Sequence, residues 1–273
     1  ADRIGAAIRS LLAEIDAAGV DAEIIAVDDG STDGTAKRLG AMAADDRRVV
    51  PMAGPGRGPG AARNAAVEAA RSRWVAFADD DDPWTPGRLA VQMDALCANP
   101  DAVLSLTNYA HVRESRPDAA LPSAFEYWPL WRRFPGRAVS RIDDARPLIA
   151  AENAVGTSTV IVSRDACLAV GGFDETLPSA SDWDLWLRLA AAGPTLVLGV
   201  EGVRYAMRAG SVSSNRGARE EAMRTIIARH PDLPAWARRR AVARLATGRS
   251  EAAADQGRSA LAIRHAAHAC LVR

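Results

Sequence analysis

The sequence predicts an α/β protein with a mostly parallel sheet and helices on both faces of that sheet. Short apolar segments alternate with segments whose apolar residues recur at helical spacing, the order typical of such folds. Two of the apolar segments run into aspartate-rich turns, "VDDGSTDGT" (27–35) and "FADDDD" (77–82). The chain has 273 residues, 48% of them hydrophobic, and is therefore long enough to bury a sizeable core.

The alternation is regular over the first part of the chain. "IGAAIRSLLAEIDAA" (4–18) has the apolar spacing of an amphipathic helix ending before Gly19, and "AEIIAV" (22–27) is typical of a short buried strand. The elements predicted next are a helix at 35–44, a strand at 49–52, a helix at 61–70, a strand at 74–78, a helix at 86–97 and a strand at 102–107. This order favours parallel strands joined by helices.

The second part is less regular. Aromatic residues, prolines and arginines lack a clear period at 111–150, where we expect a variable recognition loop or lid that takes part in substrate choice. The elements predicted beyond it are a strand at 158–163, a turn at 171–175, a helix at 182–193 and strands at 195–200 and 203–207. The Ala/Arg-rich remainder is predicted to be helical, with a break at "HPDLP" (230–234). Because the composition changes where this remainder begins, we divide the chain into an α/β domain at 1–216 and a C-terminal helical appendage at 217–273.

Composition excludes some classes of partner. Lys and Arg together number 34, as do Asp and Glu, so no overall field attracts nucleic acid or an anionic membrane. The three cysteines are far apart and form no CxxC pair, which favours a reducing compartment over a disulfide framework or a zinc site. No segment approaches the roughly 18 apolar residues of a membrane span. We expect a cytoplasmic protein with at most peripheral contact at the inner face of the membrane.

The two acidic turns are the strongest candidates for a site. Asp28 and Asp29 end one predicted strand and Asp79–Asp82 end another, so both groups are expected at the edge of an α/β sheet where ligands bind. Adjacent carboxylates repel one another unless they face water or meet a cation. A solvated acidic turn is the simpler interpretation. The alternative is a Mg²⁺ or Mn²⁺ site, since these ions are commonly held by one or two carboxylates together with substrate phosphates.

Six segments in order resemble the motifs of family 2 glycosyltransferases of the GT-A fold. They are "VDDGSTDGT", "GPGAARNAAVEAA", "FADDDDPWTPGRLAVQMDAL", "GTSTVIVSR", "GGFDETL" and "SDWDLWLRLAAAG", and the resemblance covers roughly residues 1–215. It implies a GT-A catalytic domain over 1–216 that binds a nucleotide-sugar donor. It also implies a saccharide or lipid-linked acceptor and a divalent cation.

The resemblance assigns the donor contacts. It implies that Asp28 and Asp29 border the nucleotide base and that Asp79–Asp82 occupy the DxD position. Asp81 is then the first choice as a metal ligand together with Asp79, while Asp79 or Asp80 contacts ribose or sugar. Arg57 and Arg63 lie between these motifs, where they meet donor charge or serve only the surface.

The resemblance also implies that Asp182 in "SDWDLWLRL" is the general base that deprotonates the acceptor hydroxyl. A carboxylate at a helix start is often only an N-cap, so that alternative stays open. Asp184 is the internal control, because nothing assigns it a catalytic role. Trp183 and Trp186 either keep water from the base or belong to the core.

Three departures from the family pattern bear on activity. Relatives begin with a strand before the first helix, whereas Ala1 already lies within the helical pattern, and a missing central strand would expose edges and weaken donor binding. Ser181 stands where a glutamate is usual. In "YAMRAGSVS" (205–213), Ala206 and Arg208 replace an Arg and a His, and Arg208 is a candidate contact of the diphosphate that cannot ligate a metal.

The expected function is metal-assisted transfer of a sugar from a nucleotide-diphosphate donor to an acceptor hydroxyl with inversion. UDP- or dTDP-sugars are favoured by resemblance alone. Two alternatives remain: a catalytically silent sugar-nucleotide or carbohydrate-binding relative, and a nucleotidylyltransferase. The latter needs a Gly-rich loop with Lys or Arg after the first strand, and no such loop is visible.

Overall fold

The computed structural model describes residues 2–113, 121–207, 216–255 and 263. The helices in these ranges are α1 (Asp2–Ala18), α2 (Thr35–Asp45), α3 (Pro59–Ala69), α4 (Arg88–Ala98), α5 (Ala124–Tyr127), α6 (Arg146–Ala151), α7 (Arg164–Ala169), α8 (Ser181–Ala192), α9 (Arg216–Arg229) and α10 (Ala235–Asp255). The strands are β1 (Ile24–Asp28), β2 (Val49–Ala53), β3 (Trp74–Ala76), β4 (Leu104–Arg113), β5 (Gly136–Ile142), β6 (Val160–Ser163) and β7 (Thr195–Met207). The predicted alternation of helices and strands is confirmed.

The strands form a parallel pair, β1 and β2, and a five-stranded sheet in the order β3-β6-β4-β7-β5. The predicted α/β class is confirmed, but the sheet is mixed, because in the larger sheet only β4 and β7 are parallel neighbours. Strand β6 runs antiparallel to both β3 and β4. A strand covered on both faces is a continuous apolar run whatever its direction, so "TVIV" (159–162) carried no sign of this reversal.

Helices cover both faces of the larger sheet, as predicted. Alternate residues of a strand point to opposite faces. Val160 and Val162 of β6 accordingly pack in one core with Trp183 and Trp186 of α8. Ile161, between them, packs in a second core with Leu89 and Leu96 of α4. The sheet is thereby fixed between α8 on one side and α4 on the other.

The segment expected to be an irregular loop is partly regular. Residues 121–151 contain α5, α6 and β5, which pairs antiparallel with β7 at the sheet edge. Phe125 and Trp131 are fully buried in the core that contains α8. Most of β5 is exposed, so it lacks the apolar alternation that would have predicted it. Residues 114–120 lie outside the described part.

Helix α10 packs against α6 and α9. Ile226 and Leu233 join the core that contains α8. Arg240 of α10 bonds the buried carboxylate of Glu152, and the Arg244 guanidinium lies over the Trp128 ring. Among the helices described, none has the length and apolar character needed to cross a membrane.

Candidate active site

The acidic turn Asp79–Asp82 follows β3 and is organised by one serine. The Ser158 hydroxyl accepts a hydrogen bond from the Asp79 backbone N–H at 3.1 Å and donates one to Asp82 Oδ2 at 2.9 Å. Asp82 is only 8% exposed. Burial in the first place, and then the charge of Asp79, raises the pKa of Asp82 to about 7. Negative charge is therefore concentrated against a poorly solvated carboxyl group.

The other aspartates of the turn differ in their partners. Arg63 of α3 places Nη2 2.6 Å from Asp79 Oδ1, and its guanidinium carbon lies 5.5 Å from the centre of the Phe173 ring. Asp80 is exposed and lies 3.4 Å from Arg3 of α1. Asp81 is half-buried. The structure thus brings Arg63 to the predicted donor carboxylates.

Asp28 and Asp29 end β1 but perform different tasks. Both oxygens of Asp29 are taken by backbone amides, since Gly56 N–H donates to Oδ1 at 2.6 Å and Gly58 N–H to Oδ2 at 2.7 Å. A Cβ at Gly54 would come within 2.5 Å of Asp29 Oδ1, so this close approach requires glycine. Asp28 Oδ1 accepts from Ser31 N–H at 2.9 Å. Asp29 therefore shapes the loop before α3, while Asp28 Oδ2 has no hydrogen-bond partner in the described ranges.

Asp182 lies in the first turn of α8. The residue before this helix turn, Ala180, has φ 57°, a left-handed conformation that an alanine adopts only when the surrounding structure imposes it. Asp182 Oδ1 accepts from the Trp183 N–H at 2.8 Å, and the Thr157 hydroxyl donates to Oδ2 at 3.2 Å. Asp182 is not the N-cap that the sequence left open, because Ala180 holds that position and the cap has no side-chain hydrogen bond. Its second oxygen faces the turn that carries Thr157.

One short turn joins the two carboxylate groups. Thr157 and Ser158 are consecutive residues of the 3₁₀ turn Thr157–Thr159 that enters β6. Thr157 bonds Asp182 and Ser158 bonds Asp82, so the candidate base and the acidic turn lie on either side of the same three residues. Neither hydroxyl was singled out from the sequence, although both lie in the quoted motif "GTSTVIVSR".

Asp184, the internal control, is a structural residue. It is 1% exposed, and Arg188 Nη2 lies 2.6 Å from its Oδ2. Arg229 of α9 lies 3.4 Å from its Oδ1. Trp183 and Trp186 are fully buried in the core, and Trp183 Nε1 donates to the backbone carbonyl of Ile149. Only Asp182 of this helix turn remains near the acidic turn.

Asn64 is a positioning residue that the sequence reasoning missed. Its side-chain oxygen accepts from Phe173 N–H at 2.7 Å, and its amide nitrogen donates to the Phe173 carbonyl at 2.9 Å. Gly172 has φ 65°, and a Cβ there would lie 2.4 Å from Asn64 Oδ1. The adjacent glycines of "GGFDE" were the signal for such a close approach. Asn64 therefore holds this loop against α3.

Two predicted residues stand apart. Arg57 is 66% exposed and lies 3.1 Å from Glu175 of the loop that Asn64 holds. Arg208, the candidate diphosphate contact, lies outside the described residues. Across the ranges that are described, no three His, Cys, Asp or Glu side chains are grouped so as to hold a metal ion. Asp79 and Asp81 as metal ligands therefore stay a prediction.

Comparison with known proteins decides the family. The family model described as glycosyl transferase family 2 matches residues 1–145, more than half of the chain. The chain belongs to glycosyl transferase family 2. The resemblance seen in the motifs is thereby confirmed.

Curated proteins match over part of the chain. The succinoglycan biosynthesis protein ExoO of Rhizobium meliloti is 44% identical over 89 residues, which are 33% of this chain and 24% of that protein. The chondroitin synthase of Pasteurella multocida is 29% identical over 174 residues, 64% of this chain and 16% of the synthase. This family 2 chain spans about a quarter of the length of several curated relatives.

Solved structures agree on the fold. The S. aureus TarS fragment 1–349, solved in complex with UDP-GlcNAc, aligns with a TM-score of 0.64 at 20% identity over 91% of this chain and 69% of that one. The mannosyltransferase PcManGT of Pyrobaculum calidifontis, solved with GDP-Man and Mn²⁺, aligns with a TM-score of 0.55 at 18% identity over 98% and 76% of the two chains. At these identities the likeness concerns the fold alone.

Proposed function

We propose that this family 2 glycosyltransferase transfers a sugar from a nucleotide-diphosphate donor to a hydroxyl group of a saccharide or lipid-linked acceptor, with inversion. UDP- and dTDP-sugars are the favoured donors. The observation that carries the proposal is the turn Thr157–Thr159, which bonds Asp182 on one side and Asp82 on the other. A base for the acceptor and an acidic donor site are the two parts that a direct displacement requires.

The donor is assigned to the ends of β1 and β3. Asp28 Oδ2 is available to a pyrimidine N–H, and Asp29 supports that edge by fixing the loop of Gly56 and Gly58. Asp79 and Asp80 are the proposed contacts to ribose and sugar hydroxyls. Arg63, held beside Asp79, brings positive charge to the donor. Arg57 and Arg208 are proposed as further contacts to donor charge.

Asp182 is the proposed general base. The Trp183 N–H holds Oδ1, so Oδ2 is directed by Thr157 and takes the proton from the acceptor hydroxyl. The acceptor oxygen then bonds to the anomeric carbon while the bond from that carbon to the diphosphate oxygen breaks. The electron pair leaves with the nucleoside diphosphate, and no covalent intermediate with the enzyme forms.

A divalent cation fits the chemistry of the acidic turn. Hard oxygen ligands suit Mg²⁺ and Mn²⁺, which are commonly held by one or two carboxylates plus substrate phosphates. Burial first, and then the charges of Asp79 and Asp81, raise the pKa of Asp82, so a further positive charge at this turn would be favourable. Asp81 and Asp79 are the residues that would hold the ion. When bound, it supplies positive charge opposite the leaving diphosphate.

Titration calorimetry of UDP, GDP and dTDP, with and without Mn²⁺, tests the donor site. We expect at least one nucleotide to bind only with Mn²⁺ and the Asp81→Ala variant to lose that binding. Asp165→Ala is the matched control, because the Asp165 side chain is 92% exposed on α7. Equal nucleotide affinity with and without Mn²⁺ would contradict the metal site. If none of the three nucleotides binds, the donor site is wrong.

A catalytically silent binding relative is the second candidate. It is favoured by Ser181, which stands beside Asp182 where the family usually has a glutamate. Such a protein would bind the nucleotide sugar but transfer nothing. Donor turnover that depends on Asp182 separates the two candidates.

A further inference from the structure

We propose that the acceptor is a saccharide bearing a negatively charged group, and that it lies on an aromatic surface beside Asp182 whose edge is lined by arginines. The aromatic platform comprises Tyr109, His111, Tyr127 and Tyr205. The arginine rim comprises Arg219, Arg240 and Arg244. The inference rests on the proposed function and names the acceptor class for the same site.

The platform is built by the register of two parallel strands. Tyr109 and His111 are two residues apart on β4, so both side chains lie on one face. His111 is paired directly with Tyr205 of β7. Ring centres lie 5.1 Å apart for Tyr109 and His111, 5.5 Å for Tyr109 and Tyr205, and 6.4 Å for His111 and Tyr127 of α5. Four rings from three elements thus form one continuous patch.

The rings of the platform remain accessible. Tyr127 is 53% exposed, and Tyr109, His111 and Tyr205 are half-buried. By contrast, neighbouring Phe125 and Trp131 are fully buried in the core. A sugar ring presents an apolar C–H face with hydroxyl groups at its edge, and exposed aromatic rings with polar tips match both features. The patch therefore has the chemistry of a saccharide subsite.

The platform borders the candidate base. Gly156 approaches the Tyr109 ring so closely that a Cβ there would lie 3.5 Å from it, and the next residue, Thr157, bonds Asp182. Burial first, then Tyr205 and the charges of Asp182 and Asp82, raises the pKa of the Tyr109 hydroxyl. A sugar on the platform would therefore lie beside the turn whose Thr157 bonds Asp182.

His111 offers the platform one directed polar contact. Its Nδ1 lies 2.8 Å from the backbone carbonyl of Pro122. A carbonyl oxygen only accepts, so Nδ1 carries the hydrogen, and in the neutral ring Nε2 is the acceptor nitrogen. Nε2 can therefore accept a hydrogen bond from a sugar hydroxyl.

The arginine rim adds positive charge beside Tyr127. Trp128, whose ring centre is 4.7 Å from that of Tyr127, is covered by the Arg244 guanidinium at 3.2 Å. The pKa of Arg244 is lowered to about 10, chiefly by burial. The charges of Glu152 and Tyr127 oppose this shift, and those of Arg219 and Arg240 add to it.

Within the described residues, Glu152 is the one carboxylate bonded to an arginine of the rim, so the three positive charges exceed that single negative charge. Glu152 is 1% exposed and is already bonded by Arg240. The charge of Arg219 acts both on Tyr109 and on Arg244. The excess is suited to a carboxylate or a phosphate on the acceptor, because arginine pairs with both.

Binding to immobilised saccharides tests the inference. The chain, saturated with UDP and Mn²⁺, is applied to sugars bearing uronic acids, to sugars bearing phosphate and to neutral counterparts of the same linkage. We expect anionic sugars of at least one kind to be bound about tenfold better than neutral ones. Retention on uronic acid sugars would identify a carboxylate as the anion, and retention on phosphorylated sugars would identify a phosphate. Equal binding of the two kinds of sugar, or a preference for neutral ones, overturns the inference.

Variants separate the two parts of the surface. Arg219→Gln should remove most of the preference for anionic sugars, and Tyr127→Ala should weaken binding of all bound sugars about fivefold. The matched controls on α10 are Arg238→Gln, an exposed arginine, and Trp236→Ala, an aromatic residue 45% exposed. These controls should bind as the parent does. Equal losses in variants and controls would overturn the assignment.

Nucleotide binding distinguishes the two possible failures. If UDP binds with Mn²⁺ but no saccharide is retained, the donor site stands and the acceptor platform is wrong. If no nucleotide binds, the proposed function itself fails. Thermal unfolding of each variant shows that lost binding is not lost folding.

Discussion

The acidic turn after β3 and the carboxylates around α8 are both rich in buried negative charge, yet their surroundings differ. Asp184 is held by Arg188 at 2.6 Å and approached by Arg229, while Thr176 first and Arg229 next hold the pKa of Asp174 at about 2. In the acidic turn, burial and the charges of Asp79 and Asp81 raise the pKa of Asp82 to about 7. Arginines bond the buried Asp184, whereas in the acidic turn Arg63 bonds Asp79 and no arginine among the described residues bonds the buried Asp82.

We interpret this difference as one between carboxylates that stabilise the fold and carboxylates that belong to the proposed donor site. A buried ion pair is internally complete, and removing one partner leaves the other unpaired. A buried carboxyl beside further carboxylates is unfavourable by itself and is relieved by a proton or a cation. Perturbed carboxyl groups of the second kind are those expected at functional sites.

The largest expected effect is on catalysis. Asp182→Asn keeps the shape of the side chain but cannot take the acceptor proton, so we expect sugar transfer to fall about 10²- to 10⁴-fold. UDP binding with Mn²⁺ should be unchanged, because Asp182 is not assigned to the donor. Transfer kinetics and calorimetry on the same preparation measure both. The control variant Asp165→Asn should transfer sugar as the parent does. If Asp182→Asn also transfers sugar at the parent rate, Asp182 is not the general base.

The next effect is on stability. Asp184→Asn leaves Arg188 and Arg229 without their buried carboxylate, and we expect the free energy of unfolding to fall by about 3–5 kcal/mol. Urea denaturation of the two variants Asp182→Asn and Asp184→Asn compares neighbouring positions of one helix turn. If the two variants have equal free energies of unfolding, the buried ion pairs of Asp184 do not stabilise the fold as proposed.

The acidic turn should make stability depend on pH in the metal-free protein. The pKa of Asp82 is about 7 when folded and near its ordinary value when unfolded, so the folded state binds the extra proton between these values. Its contribution to stability is therefore fully present at low pH and is lost as the pH rises from about 4 to about 7, by at most about 4 kcal/mol.

Asp82→Asn removes this titration and should flatten the pH dependence. Urea denaturation in EDTA at pH 5 and pH 8 measures the slope for parent and variant. The Asp165→Asn variant should keep the slope of the parent. A parent slope of the opposite sign would show that Asp82 is not protonated when folded.

The smallest expected effect concerns the exposed pair of Arg57 and Glu175. The Arg57 side chain is 66% exposed, and solvent screens such pairs. Arg57→Ala should therefore change the free energy of unfolding by less than about 1 kcal/mol. Urea denaturation measures the stability of this variant, and UDP calorimetry measures its donor affinity. Reduced donor affinity at unchanged stability would indicate that Arg57 contacts the donor. A large loss of stability would contradict the distinction between buried and exposed ion pairs.

Local pattern was enough to predict the elements and the places where carboxylates end strands. Helical spacing in "IGAAIRSLLAEIDAA" and the apolar run before Asp28 depend on residues within a few positions of one another. The aspartates at 28–29 and 79–82 were located for the same reason. The direction of β6 was not predictable, because a strand buried on both faces has no pattern that distinguishes parallel from antiparallel pairing.

By itself, the sequence determined the α/β class, the order of its elements and the residue types that end its strands. Only the tertiary structure decided that Ser158 meets Asp82, 76 residues away, that Asp184 is neutralised by Arg188 and Arg229, and that rings from β4, α5 and β7 share one face. The physical reason is range. Propensity and periodicity act over a few residues, whereas these contacts depend on how the packed sheet brings distant segments together.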